Sequence, residues 1–176
     1  CELVTITKTW GSSPRPEGAT LGICEDGHVV GSVSGGCIED DLIDRARREG
    51  LNRTKPEVVT YGITADEAHR FGLPCGGTLE LVLEFDPDPD LLAQLVLALE
   101  NGELMQRELD MASGAVALSQ AQVPQELQIS DQHLVNTFGP EYRMLLIGAG
   151  QLSEYLATMA LFNGFAVTVC DPSVLM

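Results

Sequence analysis

Basic side chains are scarce in this sequence: 10 Lys and Arg stand against 26 Asp and Glu, for a formal net charge of −16. Proteins that grip nucleic acid or an anionic membrane surface need a basic footprint, so neither partner is expected. Long apolar runs are missing too. The stretch Leu91 to Leu99 is too short to span a bilayer, and Met144 to Val169 is interrupted by Gln151, Glu154 and Asn163. The five cysteines have no C-x-x-C spacing and no signal sequence precedes them at the observed start, which favours free thiols in a reducing, cytoplasmic setting. His28, His69 and His133 are scattered singly, so no metal site made of protein ligands is expected. Ser12, Ser13, Ser32 and Ser34 lack a neighbouring His and Asp that would mark a nucleophile.

What is present is ordinary globular material, 44% hydrophobic over 176 residues, enough for one large domain or a small one plus part of another. Cys1 to Thr7 already reads as mid-strand, so a segment upstream is expected. Leu3 to Trp10 has the β-branched content of a strand, and the Gly, Ser and Pro of Trp10 to Gly18 mark a loop. Thr20 to Glu25 and His28 to Val33 flank Asp26-Gly27, a hairpin signal that predicts antiparallel pairing. A helix is predicted over 38–49, with acids at its start and arginines at its end in agreement with the helix dipole. Strand Glu57 to Ile63, a short helix Thr64 to Arg70 and strand Thr78 to Phe85 follow, the last alternating Leu79, Leu81, Leu83 and Phe85 on a buried face with Glu80, Val82 and Glu84 on a partly wet one. Asp86 to Asp90 opens a helix over 91–100, and Leu104 to Asp110 with Ala115 to Leu118 make a hairpin. Residues 1–118 are thus expected to form an α/β domain with a mixed sheet. Residues 119–142 are rich in glutamine and are read as a connection that can hide short strands.

Two glycine corners carry the chemistry. Gly31-Ser32-Val33-Ser34-Gly35-Gly36-Cys37-Ile38-Glu39-Asp40 runs from strand end through a turn into a helix, which puts Cys37 at a helix N-terminus. Free N–H groups and the positive dipole end there stabilise an anion or a thiolate, and Gly35 and Gly36 let a ligand approach the main chain. Gly72-Leu73-Pro74-Cys75-Gly76-Gly77 is a second such corner, just before a strand. Each cysteine taken alone also fits a small buried residue in a tight turn. Glu39 has two roles open to it, orienting Cys37 or a bound ring and balancing the helix dipole. Arg15, in a loop stiffened by Pro14 and Pro16, suits a bidentate phosphate contact or the offsetting of nearby carboxylates.

Residues 143–176 differ in kind. Met144 to Ile147 is a buried strand, Gly148-Ala149-Gly150 a turn, Gln151 to Asn163 a helix, and Phe165 to Asp171 a second strand ending in an acid. This is the βαβ opening of a Rossmann-like fold, with Gly148 and Gly150 facing a nucleotide's phosphates and Asp171 a ribose hydroxyl. Ser153 replaces the third glycine of the fingerprint. Only two strands precede Met176 where about five or six are needed, so the unit is expected to be truncated and to self-associate through its open edges, giving a homo-oligomer.

Taken in order, Gly11 to Gly18, Gly31 to Glu39 and Gly72 to Gly77 resemble the xanthine dehydrogenase accessory family, XdhC/CoxI, and the Gly148 turn is similar to the Rossmann domain those proteins carry. The resemblance implies a maturation factor, not a catalyst. Such a factor binds molybdenum cofactor (molybdopterin), keeps it safe during sulfuration by a cysteine desulfurase, and delivers it to a molybdenum hydroxylase apoenzyme. It implies cofactor contacts from Arg15, Ser34, Gly35, Gly36, Cys37, Glu39, Cys75, Gly76 and Gly77, with a nucleotide at Gly148, Gly150 and Asp171 as a further expectation. Two other functions fit parts of the sequence. One is an NAD(P)-dependent oxidoreductase using the Gly148 turn, and the other a thiol redox protein in which Cys37 and Cys75 form a switchable disulfide.

Overall fold

The computed structural model describes residues 1–11, 13–49, 53–62, 77–140 and 142–172. Its first layer is helix α1 (Cys37–Glu49). The second is a five-stranded sheet in the order β3-β2-β1-β5-β4, made from β1 (Glu2–Trp10), β2 (Thr20–Ile23), β3 (Val29–Gly31), β4 (Glu57–Tyr61) and β5 (Thr78–Phe85). Beyond it lies a four-stranded sheet in the order β7-β6-β9-β8, made from β6 (Met105–Asp110), β7 (Val116–Gln120), β8 (Gln128–Ile129) and β9 (His133–Phe138). Helix α2 (Pro89–Glu100) joins the two sheets, its first turn capped by Asp88, which accepts from the N–H groups of Asp90 and Leu91. The short helix expected over Thr64 to Arg70 lies outside the described residues.

The α/β class is as the sequence implies, and so is the antiparallel hairpin at Asp26-Gly27, where Gly27 takes a φ of +83°. The mixed sheet is not: every described pairing in the five-stranded sheet is antiparallel. Crossover through α1 does return β4 in the same direction as β3. It lands at the far edge beside β5, however, so the two never become neighbours.

Alternation in the strands builds the core. Val4, Ile6, Leu21, Leu79, Leu81 and Leu83 are fully buried on the face that packs against Ile38 and Leu42 of α1, each contributing about 1.5–3 kcal/mol on burial. The other face of β5 is partly open at Glu80, as the alternation implies, but at Val82 and Glu84 it is covered by the second sheet. Val82 packs with Leu109 and Leu134 there, and Glu84, 4% exposed, meets Arg107 of β6 at 2.6 Å. Residues 119–142 contribute β8 and β9, and β9 pairs with β6 along its whole length.

A separate βαβ unit follows: β10 (Tyr142–Ile147), α3 (Gln151–Phe162) and β11 (Phe165–Cys170), with β10 and β11 in parallel register from Tyr142–Phe165 to Ile147–Cys170. Among the described residues no helix is long and apolar enough to cross a membrane.

Because the Glu84–Arg107 pair is buried between sheets, removing one partner strands a charge. Glu84→Gln or Arg107→Met alone should lower stability by roughly 3–5 kcal/mol, and the double variant by much less. Urea unfolding of the three variants checks this, and additive losses would show that the pair is not coupled.

Candidate functional site

Strand direction decides where the glycine motifs meet. Strands β1, β3 and β4 all run toward one end of the five-stranded sheet, and β2 and β5 begin there. The loop after β1 (residues 11–19), the loop between β3 and α1 (32–36) and the approach to β5 at Gly77 therefore share that end. Gly11 and Gly77 touch directly: a Cβ on Gly11, whose φ is +74°, would lie 3.3 Å from the Gly77 Cα. The 32–36 loop leaves β3, two strands from β1, so roughly 10 Å separates the two strands at about 4.8 Å per strand. Cys75 and Gly76 lie outside the described residues, as does the side chain of Cys37, whose backbone is the first residue of α1.

The 32–36 loop is wrapped around a carboxylate of its own chain. Glu39, only 8% exposed, accepts through Oε1 from the N–H groups of Val33 at 2.9 Å, Ser34 at 2.8 Å and Gly35 at 3.1 Å, and through Oε2 from Gly36 at 2.8 Å. The hydroxyls of Ser32 and Ser34 donate to it as well. Burial alone would raise its pKa, but the donors from Ser34, Ser32 and Val33 outweigh burial and hold the carboxyl well below the usual range. The Gly36 contact is the returning half of a capping box, with Gly36 as N-cap and Glu39 three residues in. Ser34 Oγ also accepts from Ile38 N at 3.3 Å.

The sequence predicts an anion cradle at Ser34, Gly35 and Gly36, and the structure has one. Its occupant is Glu39, so these four N–H groups are already used and Glu39 lies beneath the loop. Gly35 and Gly36, at φ +88° and +154°, have nothing within 4 Å of where a Cβ would stand, so a flat ligand can lie on the loop's outer surface. Ser32 was not among the expected site residues. Its signal was its own hydroxyl, seven positions before Glu39 and on the same turn, which both donates to Glu39 and accepts from Gly35 N at 3.1 Å.

Arg15 is exposed and makes no ion pair among the described residues. Its backbone is fixed by Ser13, whose hydroxyl donates to Arg15 O at 2.6 Å. Pro16, Glu17 and Gly18 carry the chain back to β1, where Gly18 N donates to Ile6 O. The arginine opens on a cleft of about 510 Å³ shared with residues 136, 137 and 139 at the end of β9 and residues 124–127 ahead of β8. Positions 124–139 are missing from the expected site because their polar residues carry no motif.

At the Gly148 turn the acid expected for a ribose hydroxyl bonds within the turn. Gly148 takes φ +103°, and Gly150 caps α3 without a side-chain bond. The carboxylate of Asp171 accepts from Ala149 N at 2.5 Å, which turns this acid onto the glycine turn itself.

Glu39 gives a clear expectation. Glu39→Gln replaces an acceptor-only group with one whose NH₂ must face N–H donors, so stability at pH 7 should fall by about 2–4 kcal/mol. The sign with pH follows from a depressed folded-state pKa: the stabilisation is full above the ordinary value of 4.5 and is lost as pH falls below it. The gap between wild type and Glu39→Gln in urea unfolding should therefore narrow from pH 7 to pH 3, and a constant gap would count against an ionised Glu39 in the loop.

Known proteins resemble this chain. Residues 1–62 match the model of the XdhC and CoxI family. The chain is 25% identical over 169 residues to the molybdenum cofactor insertion chaperone PaoD of Escherichia coli K12, covering 96% of this chain and 52% of that protein. It is 24% identical over 195 residues to a probable xanthine dehydrogenase subunit of Bacillus subtilis 168, covering 96% and 58%. A crystal structure of a xanthine dehydrogenase from Bacillus halodurans matches with a TM-score of 0.69 at 27% identity, over 96% of this chain and 57% of that one. The chain thus spans a little over half the length of the curated relatives it matches. The resemblance to the XdhC and CoxI family read from the three glycine motifs is borne out by the family model over residues 1–62 and by relatives along nearly the whole chain.

Proposed function

We propose that this chain is the cofactor-holding part of a maturation chaperone, which receives molybdenum cofactor and passes it to a xanthine dehydrogenase-type hydroxylase. The observation that carries this is the convergence of the glycine loops at one end of the five-stranded sheet, with Gly11 against Gly77 and Cys37 opening α1 beside a bare glycine surface. The names of the relatives point the same way. Molybdenum cofactor offers a phosphate, a polar pterin and a metal with sulfur ligands. Soft thiolates at Cys37 and Cys75 suit the metal or a sulfur in transit, and glycine backbones suit the pterin face. Glu39 acts from beneath by fixing the loop. Sulfuration on this protein by a cysteine desulfurase, and a homo-oligomeric state, belong to the same proposal. Gly148, Gly150 and Asp171 have no part in it.

The test is to purify the chain from cells that make molybdenum cofactor, then measure molybdenum by mass spectrometry and pterin by fluorescence after oxidation. Wild type should carry both. Cys37→Ala and Cys75→Ala should carry at least several-fold less while melting at the wild-type temperature. A cofactor-free wild type, or equal content in all three proteins, would contradict the proposal.

A further inference from the structure

We infer that the cleft between the β1–β2 loop and the second sheet is where the phosphate end and polar ring edge of the bound cofactor are held, so that residues 124–127, 136, 137 and 139 form one wall of the site. This rests on the cofactor-holding function proposed above and says which residues recognise the ligand.

The first ground is exclusion. A phosphate placed by the 32–36 loop would need N–H donors that already serve Glu39. Arg15 supplies the alternative. In a chain of net charge −16 it is a guanidinium without an ion pair among the described residues, and its planar fork matches phosphate oxygens.

The second ground is Asn136 on the opposite wall. It is nine-tenths buried, its Nδ2 donates to Gly18 O at 3.2 Å, and its Oδ1 accepts no hydrogen bond among the described residues, although it is not sealed from solvent. An amide oxygen fixed at a cleft wall and open to solvent can accept from a ligand's N–H group. Glu126, exposed on the same rim, offers a second acceptor. Leu104 and Leu127 supply apolar wall between them. One cation, two acceptors for N–H groups and a flanking apolar surface, in about 510 Å³, describe a site for a planar nitrogen heterocycle carrying a phosphate, and the volume is that of a small-molecule pocket. The same Asn136 holds Gly18, where a Cβ would come within 3.2 Å of Oδ1, so the amide also sets the loop that presents Arg15.

Purified molybdopterin is titrated into the full chain, with pterin fluorescence after oxidation as the readout, alongside GMP and inorganic phosphate as separate arms. Arg15→Gln, an exposed change with no ion pair to break, and Asn136→Leu should each weaken molybdopterin binding at least tenfold, with Arg15→Gln keeping the wild-type thermal melt. Phosphate and GMP should compete only weakly. Wild-type affinity in Arg15→Gln would overturn the cleft assignment while leaving the chaperone function standing. Competition by GMP as strong as by molybdopterin would overturn the pterin assignment and make this a purine nucleotide site. Failure of the wild type itself to bind molybdopterin would overturn both.

Discussion

The carboxylate of Glu39 can be 8% exposed and ionised only because six donors from residues 32–36 surround it. An unpaired buried charge would cost several kcal/mol. The dependence runs both ways: Gly35 and Gly36, at positive φ, are among the least restrained residues in an unfolded chain and need an anchor to hold one shape. With the anchor in place, α1 begins at a fixed point, and Ile38 and Leu42 reach the sheet. The loop's outer face is then a preorganised surface, since its hydrogen bonds are already made on the inner side.

The fold positions this loop by direction and not by sequence proximity. With β1 and β3 ending and β5 beginning at one end of the sheet, residues 11 and 77 touch and residue 31 lies two strands away, while the second sheet, clamped through Glu84 and Arg107, puts Asn136 against Gly18. The rim thus draws on segments more than a hundred residues apart. The βαβ unit contacts this body through Arg143, whose guanidinium donates to Gly102 O.

Much of this was legible in the residues. The Asp26-Gly27 hairpin, the helix over 38–49 and strand 78–85 follow from local turn chemistry and periodicity, and the described parts of the three glycine motifs lie at one end of the sheet. Strand β9 was harder to see, because His133-Leu134-Val135-Asn136-Thr137-Phe138 mixes Asn and His into a half-buried strand beside a glutamine-rich stretch, and its partner β6 lies nearly thirty residues away. Local sequence carries no sign of such a pairing. The partly wet face expected for Glu80, Val82 and Glu84 holds at Glu80 and fails at the other two for a related reason: a buried Glu84 is tolerable only with Arg107 opposite, and that partner comes from the second sheet. Glu39 was read as a ligand contact or a dipole effect, and its actual partners, Val33 to Gly36, are backbone groups that a residue pattern does not display.

In the proposed function one rim, built from the β1–β2 loop, the β3–α1 loop and the β9 segment, holds the cofactor. Hydrogen exchange of the full chain with and without molybdopterin tests it most directly, peptide by peptide. Cofactor held at this rim gives new protection within residues 9–19, 31–38 and 124–139, and none over 147–156. Protection confined to the Gly148 turn, with the other three segments unchanged, would contradict it.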